Sequence, residues 1–99
     1  MTNEQIAIIA NALSNPIRLL ILQKLANESC CYHGDLSDEL PIANSTLSQH
    51  LKVLKKANLI QGEINPPKIK YCINQDQWQK AKMAFNSFFE TEVQIDCCD

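Results

Sequence analysis

Apolar positions recur at helical spacing in four stretches of the chain and alternate strictly in one. Ile6, Ile9, Ala10 and Leu13 follow a capping box formed by Thr2 and Gln5, which predicts a helix over about 3–13. Ala7 and Ile8 make that helix apolar on most sides, as suits a central helix or one that meets another subunit. Asn15 as N-cap and Pro16 at the first helical position open a second helix through Ile17, Leu20, Ile21, Leu22 and Leu25, ending near Ala26-Asn27. Glu28 to Gly34 reads as irregular or as a short strand. Asp35 then caps a short helix, Leu36 to Leu40, which Pro41 stops. Leu47, Leu51 and Leu54 lie at i, i+4 and i+7, predicting a longer helix from about Asn44 to Ala57 that Asn58 ends. Leu59 to Ile64 reads as a strand and Asn65-Pro66-Pro67 as a turn. The return strand Lys68–Ile73 alternates, with Ile69, Tyr71 and Ile73 inward and Lys68, Lys70 and Cys72 on the other face. Asn74 caps a last helix whose apolar positions are Trp78, Ala81, Phe85, Phe88 and Phe89.

The face of the 44–57 helix opposite its leucines carries Ser45, Thr46, Ser48, Gln49, Lys52, Lys55 and Lys56, and no acid. Two helices joined by a short turn, the second presenting such a face, form a helix-turn-helix, whose second helix enters the major groove of double-stranded DNA. A hairpin directly after it is a wing. The expected fold is therefore mainly α with a small β-hairpin, a winged helix-turn-helix. It occupies residues 1–92 as one DNA-binding and dimerisation domain, with a cysteine-containing tail at 93–99. Terminal helices this apolar in so short a chain are most simply explained by homodimerisation through the first and last helices.

Composition narrows the alternatives. Ninety-nine residues make one small domain, 45% hydrophobic and 20% charged. The longest apolar run, Ile6 to Ala10, is far below the ~18 residues of a membrane span, and no basic-then-apolar leader opens the chain, so the expected location is the cytoplasm, with no membrane partner. Gly34 and Gly62 are the only glycines, so neither a dinucleotide turn nor a Walker phosphate loop can be written. The net charge of −2 hides an asymmetry: residues 1–40 carry −3, residues 41–75 carry +4 and residues 76–99 carry −3. The basic third coincides with the helix-turn-helix and wing, which suits an anionic partner.

The strings Ala12-Leu13-Ser14-Asn15-Pro16-Ile17-Arg18-Leu19-Leu20-Ile21-Leu22 and Ser45-Thr46-Leu47-Ser48-Gln49-His50-Leu51-Lys52-Val53-Leu54 resemble the ArsR/SmtB family of winged-helix repressors. The likeness covers roughly residues 5 to 85, and the second string matches the family's recognition helix nearly position by position. The resemblance implies a homodimer on an inverted-repeat operator, released when a metal ion, metalloid or oxidant reaches its cysteine or histidine ligands. It implies base-facing roles for Ser45, Ser48, Gln49 and His50. Thr46, Lys52, Lys55 and the wing lysines Lys68 and Lys70 fall on phosphate. Asn44 is a further DNA-binding candidate at the helix start, where the cap is expected to shift to it because Pro41 and Ala43 replace the family's usual Gly and capping Ser. Arg18 matches the family too, as an anchor of the second helix or a phosphate contact.

The five cysteines are the candidate sensor. Cys30-Cys31 and Cys97-Cys98 are vicinal pairs and Cys72 stands alone, an odd count that does not suit a secreted disulfide framework. No organised nucleophile and base set accompanies Cys31 and His33, so an enzyme is not expected. Residues 74–92 contain no histidine, which removes the family's last-helix zinc site. Trivalent arsenic and antimony want three thiolates, whereas zinc takes four ligands and accepts imidazole, so As(III) or Sb(III) is the expected inducer, with Zn or Cd as the alternative. Cys30 and Cys31 supply two ligands. By the family's fold, a small strand before the short helix lies beside the second wing strand and makes Cys72 the third. Cys97 and Cys98 are the rival third ligand or a second site, and His33 completes a Cys-Cys-His zinc or cadmium set. A disulfide or persulfide signal on the same thiols is the other reading.

Overall fold

The structure is a computed structural model that describes residues 1–27, 32–33, 40, 42–65 and 68–94, with 32–33, 44, 63–65 and 68–70 described by backbone alone. In chain order the elements are α1 (Asn3–Ala12), α2 (Pro16–Ala26), β1 (Tyr32–His33), α3 (Asn44–Lys56), β2 (Ile60–Asn65), β3 (Lys68–Ile73) and α4 (Gln75–Phe89). The expected short helix at 36–40 lies outside the described residues except for Leu40, which is buried.

Local chemistry sets the helix starts. Thr2 accepts from the Gln5 amide at 3.2 Å while the Gln5 side chain accepts from the Thr2 amide at 2.9 Å, so the capping box closes. Asn15 Oδ1 accepts from the amides of Ile17 at 2.8 Å and Arg18 at 3.4 Å, and Pro16 costs α2 no bond at that position. Asn74 caps α4 through the Gln77 amide. At α3 the cap position is Ala43, extended at φ −71° and ψ 152°, and no side chain caps it. This corrects the expected shift to Asn44, which is already helical.

The end of α3 determines how the sheet begins. Ala57 is the C-cap, Asn58 adopts the left-handed region at φ 62°, and two bonds reach back across it. The Asn58 amide donates to Lys55 O at 2.9 Å and the Leu59 amide to Leu54 O at 3.1 Å, the pairing of a Schellman motif. Leu54 and Leu59, the two residues this brings together, are 0% and 1% exposed. Leu59 is therefore spent on closing the helix, and β2 begins at Ile60 rather than at the expected Leu59. Gln77 Nε2 donates to Ala57 O at 3.2 Å, so α4 satisfies a carbonyl that α3 leaves open.

The three strands lie in the order β1-β3-β2, all antiparallel. β2 and β3 form the hairpin with Ile60 opposite Ile73 and Asn65 opposite Lys68; β1 adds Tyr32 opposite Tyr71 and His33 opposite Lys70. The core beneath comprises Ile9 and Ala12 of α1, Ile21, Leu22 and Leu25 of α2, Leu47, Leu51 and Leu54 of α3, and Leu59, Ile60, Tyr71 and Ala81. Each such leucine or isoleucine withdrawn from water contributes about 1.5–3 kcal/mol before conformational entropy is charged. Trp78 and Phe85 of α4 pack against this core half-buried. No single helix among the described residues is long and apolar enough to cross a membrane.

Candidate nucleic-acid interface and thiol site

Burying Leu47, Leu51 and Leu54 turns the rest of α3 outward. Ser45, Thr46, Ser48, Gln49, Lys52, Lys55 and Lys56 are all exposed, while His50 and Val53 lie half-buried at the flank. The exposed set combines hydroxyls and an amide in the first half with ammonium groups in the second, and no carboxylate interrupts it. Such groups hydrogen-bond base edges and neutralise phosphates. Lys55 Nζ donates to Gly62 O at 2.9 Å, tying the last turn of α3 to β2. Asn44 is the first residue of α3, and Lys68 and Lys70 lie on β3 at the hairpin; only their backbones are described.

Arg18 has a larger role in the geometry than its place in the sequence suggested. Its guanidinium donates to two carbonyls at the end of α1 and approaches His50 of α3. It is the first base in the chain, with Lys24 the next and Lys52, the earliest base of α3, 34 positions on. That isolation within an apolar string was the available signal.

Of the thiols, Cys72 is the one among the described residues. It sits half-buried on β3 opposite Gln61 of β2 and is disulfide-bonded. Cys30, Cys31, Cys97 and Cys98 lie outside the described residues. His33 is on β1, paired with Lys70, its side chain not described. The β1–β3 pairing places Tyr32, which follows Cys31 in the chain, opposite Tyr71, which precedes Cys72. Among the described residues no three His, Cys, Asp or Glu side chains converge as a metal cage.

Large apolar side chains are also exposed on the terminal helices. On α4, Met83 is 70%, Phe88 61% and Phe89 76% exposed, and on α1 Ile8 is 55% exposed. Phe88 and Phe89 meet edge to face, centroids 5.2 Å apart and planes at 89°.

The profile of the family described as "Bacterial regulatory protein, arsR family" matches residues 15–61. The transcriptional repressor SmtB of Mycobacterium tuberculosis is 35% identical over 63 residues, covering 64% of this chain, and the chain spans about half of that protein's length (46%). The transcriptional regulator YgaV of Escherichia coli is 33% identical over 73 residues, 74% of each protein. In three dimensions NolR of Sinorhizobium fredii superposes with a TM-score of 0.64 at 31% identity, over 90% of this chain and 88% of that one. The matched family is one of regulatory proteins rather than enzymes, and SmtB and YgaV are regulators of transcription. With the helix order, the hairpin and the residues of α3 all in agreement, the chain belongs to the ArsR/SmtB family of winged-helix regulators.

Proposed function

We propose that the chain is a homodimeric transcriptional repressor that binds an inverted-repeat operator through α3 and the β2–β3 wing and is released by chemistry at its cysteines. The exposed, acid-free polar face of α3 carries the DNA-binding part of this reading. Ser45, Ser48, Gln49 and His50 meet base edges; Asn44, Thr46, Lys52, Lys55, Lys68 and Lys70 meet phosphate. The exposed Ile8, Met83, Phe88 and Phe89 supply a surface for a second copy, which sets two α3 helices about one helical turn of DNA, ~34 Å, apart.

The inducer in this reading is As(III) or Sb(III), held by thiolates of Cys30, Cys31 and Cys72. The observation favouring Cys72 over the tail pair is the β1–β3 register, which draws the chain next to Cys31 up to the chain next to Cys72. Soft thiolates fit a trivalent metalloid better than they fit zinc or cadmium. The metalloid requires Cys72 as a thiolate, so the reduced protein is the state that takes it. A second reading is favoured by the disulfide at Cys72. There, peroxide takes two electrons from two thiols, giving one disulfide and two waters, and the bond itself alters operator affinity.

The test uses a duplex selected from a random library by the reduced protein. Arsenite weakens binding by the parent and leaves Cys72→Ser and Cys31→Ser unaffected; an equal response in parent and variants overturns the metalloid reading. Peroxide under thiol-free conditions releases DNA with the loss of two hydrogens by mass spectrometry if the second reading holds. Release by Zn(II) or Cd(II) alone overturns both.

A further inference from the structure

The Arg18 guanidinium is held at three corners. Nε donates to Ala12 O at 2.7 Å, one terminal nitrogen donates to Asn11 O at 3.1 Å, and the other lies 3.3 Å from His50 Nδ1. Asn11 and Ala12 end α1, whose last turn has no base of its own. Arg18 therefore brings from α2 the cation that open carbonyls and the negative end of a helix favour. Two of its corners are in this way fixed to the α1–α2 junction, and the third crosses to α3.

The third corner has a chemical consequence. A guanidinium can only donate, so His50 Nδ1 must accept. A neutral imidazole accepting at Nδ1 carries its proton on Nε2. His50 is half-buried at the flank of the exposed face, one turn after Thr46, which is exposed. The geometry points to Arg18 as a positioning residue for DNA reading: it fixes the ring of His50 and its tautomer, so that Nε2–H is presented as a donor to an acceptor on the duplex. The assignment rests on α3 being the DNA-reading helix, as proposed above. The acceptor is a base edge or a phosphate oxygen, and the two are separable because only the first depends on sequence.

Long-range proton–nitrogen NMR of the free protein reads the tautomer without DNA. The parent shows His50 protonated at Nε2, whereas Arg18→Met shows a mixture of tautomers. Because the Met variant also uncaps α1, Arg18→Lys is the control: it keeps a cation for the α1 carbonyls, cannot span both helices, and loses the fixed tautomer with its melting temperature retained. With the library-selected duplex, Arg18→Lys weakens binding about tenfold, the scale of one hydrogen bond to a charged group. His50→Asn, which offers an acceptor where Nδ1 stood and nothing in place of Nε2–H, weakens it similarly, and the double variant is no weaker than either. A loss confined to the selected duplex identifies a base acceptor, and an equal loss on an unrelated duplex a phosphate. An unchanged tautomer in Arg18→Lys, parent-like binding by His50→Asn, or additive losses in the double variant each overturn the assignment.

Discussion

Ala43 offers a measurement that separates the stability of α3 from its use. It occupies the N-cap of α3 in an extended conformation suited to capping, and its carbonyl already accepts from the Leu47 amide at 3.0 Å. Its methyl group gives the amides of the first turn no side-chain acceptor at the cap. Ala43→Ser places a hydroxyl where it reaches the amides of Ser45 or Thr46, and the gain is about 1 kcal/mol, within a range of ~0.5–2. For a domain of this size that raises the melting temperature by roughly 4–8 °C, followed by circular dichroism at one fixed protein concentration. Ala43→Asp adds a favourable charge at the positive end of the helix, a further ~0.3–1 kcal/mol. On DNA the two variants diverge. Serine is neutral toward phosphate, while aspartate repels it and flattens the salt dependence of binding by about one phosphate contact, a slope change of ~0.9. No rise in melting temperature for Ala43→Ser shows that the first-turn amides already have partners. A parent-like salt slope for Ala43→Asp shows that the start of α3 does not face the duplex.

Two further outcomes follow from other elements. Phe88→Ser with Phe89→Ser removes aromatic surface that is exposed in the single chain; sedimentation should show monomers, with operator binding lost and the helical circular dichroism retained, and a persisting dimer would contradict the α4 contact. Asn58 sits at φ 62°, so Asn58→Gly should leave the urea midpoint unchanged or raise it, while Asn58→Val should cost on the order of 1–2 kcal/mol; equal midpoints would mean the left-handed turn is not required.

Much of this architecture was legible because short-range chemistry decides it. Thr2 with Gln5, Asn15 with Pro16, and Asn74 each announce a helix start, and each cap is formed. The leucine stripe of α3 faces the core as its spacing requires, which leaves the polar face outward. β1 was different. Two residues carry no periodicity, so the residues alone left 28–34 as irregular or a short strand, and only the resemblance set a strand beside the second wing strand, because pairing with β3 is a long-range event. The start of β2 was misplaced by one residue because Leu59 has the character of a strand residue, and only the backbone bond to Leu54 reveals that it closes a helix. For the same reason Arg18 looked like a local anchor: its contact with His50 crosses 32 positions.

The closure of α3 also decides where the molecule can bend. Leu59 is bonded back to Leu54, Lys55 is tied to Gly62, and Gln77 grips Ala57, so hydrogen bonds join helix, hairpin and the start of α4 into a single head. Such a head cannot stretch to fit an operator whose contacts are differently spaced within one half-site. In the dimer proposed above, adaptation is left to the joint between two heads, which tolerates changes in the distance between half-sites rather than within them. Cys72 belongs to the strand at the centre of this head's sheet, so force applied there turns the whole reader instead of deforming one part of it.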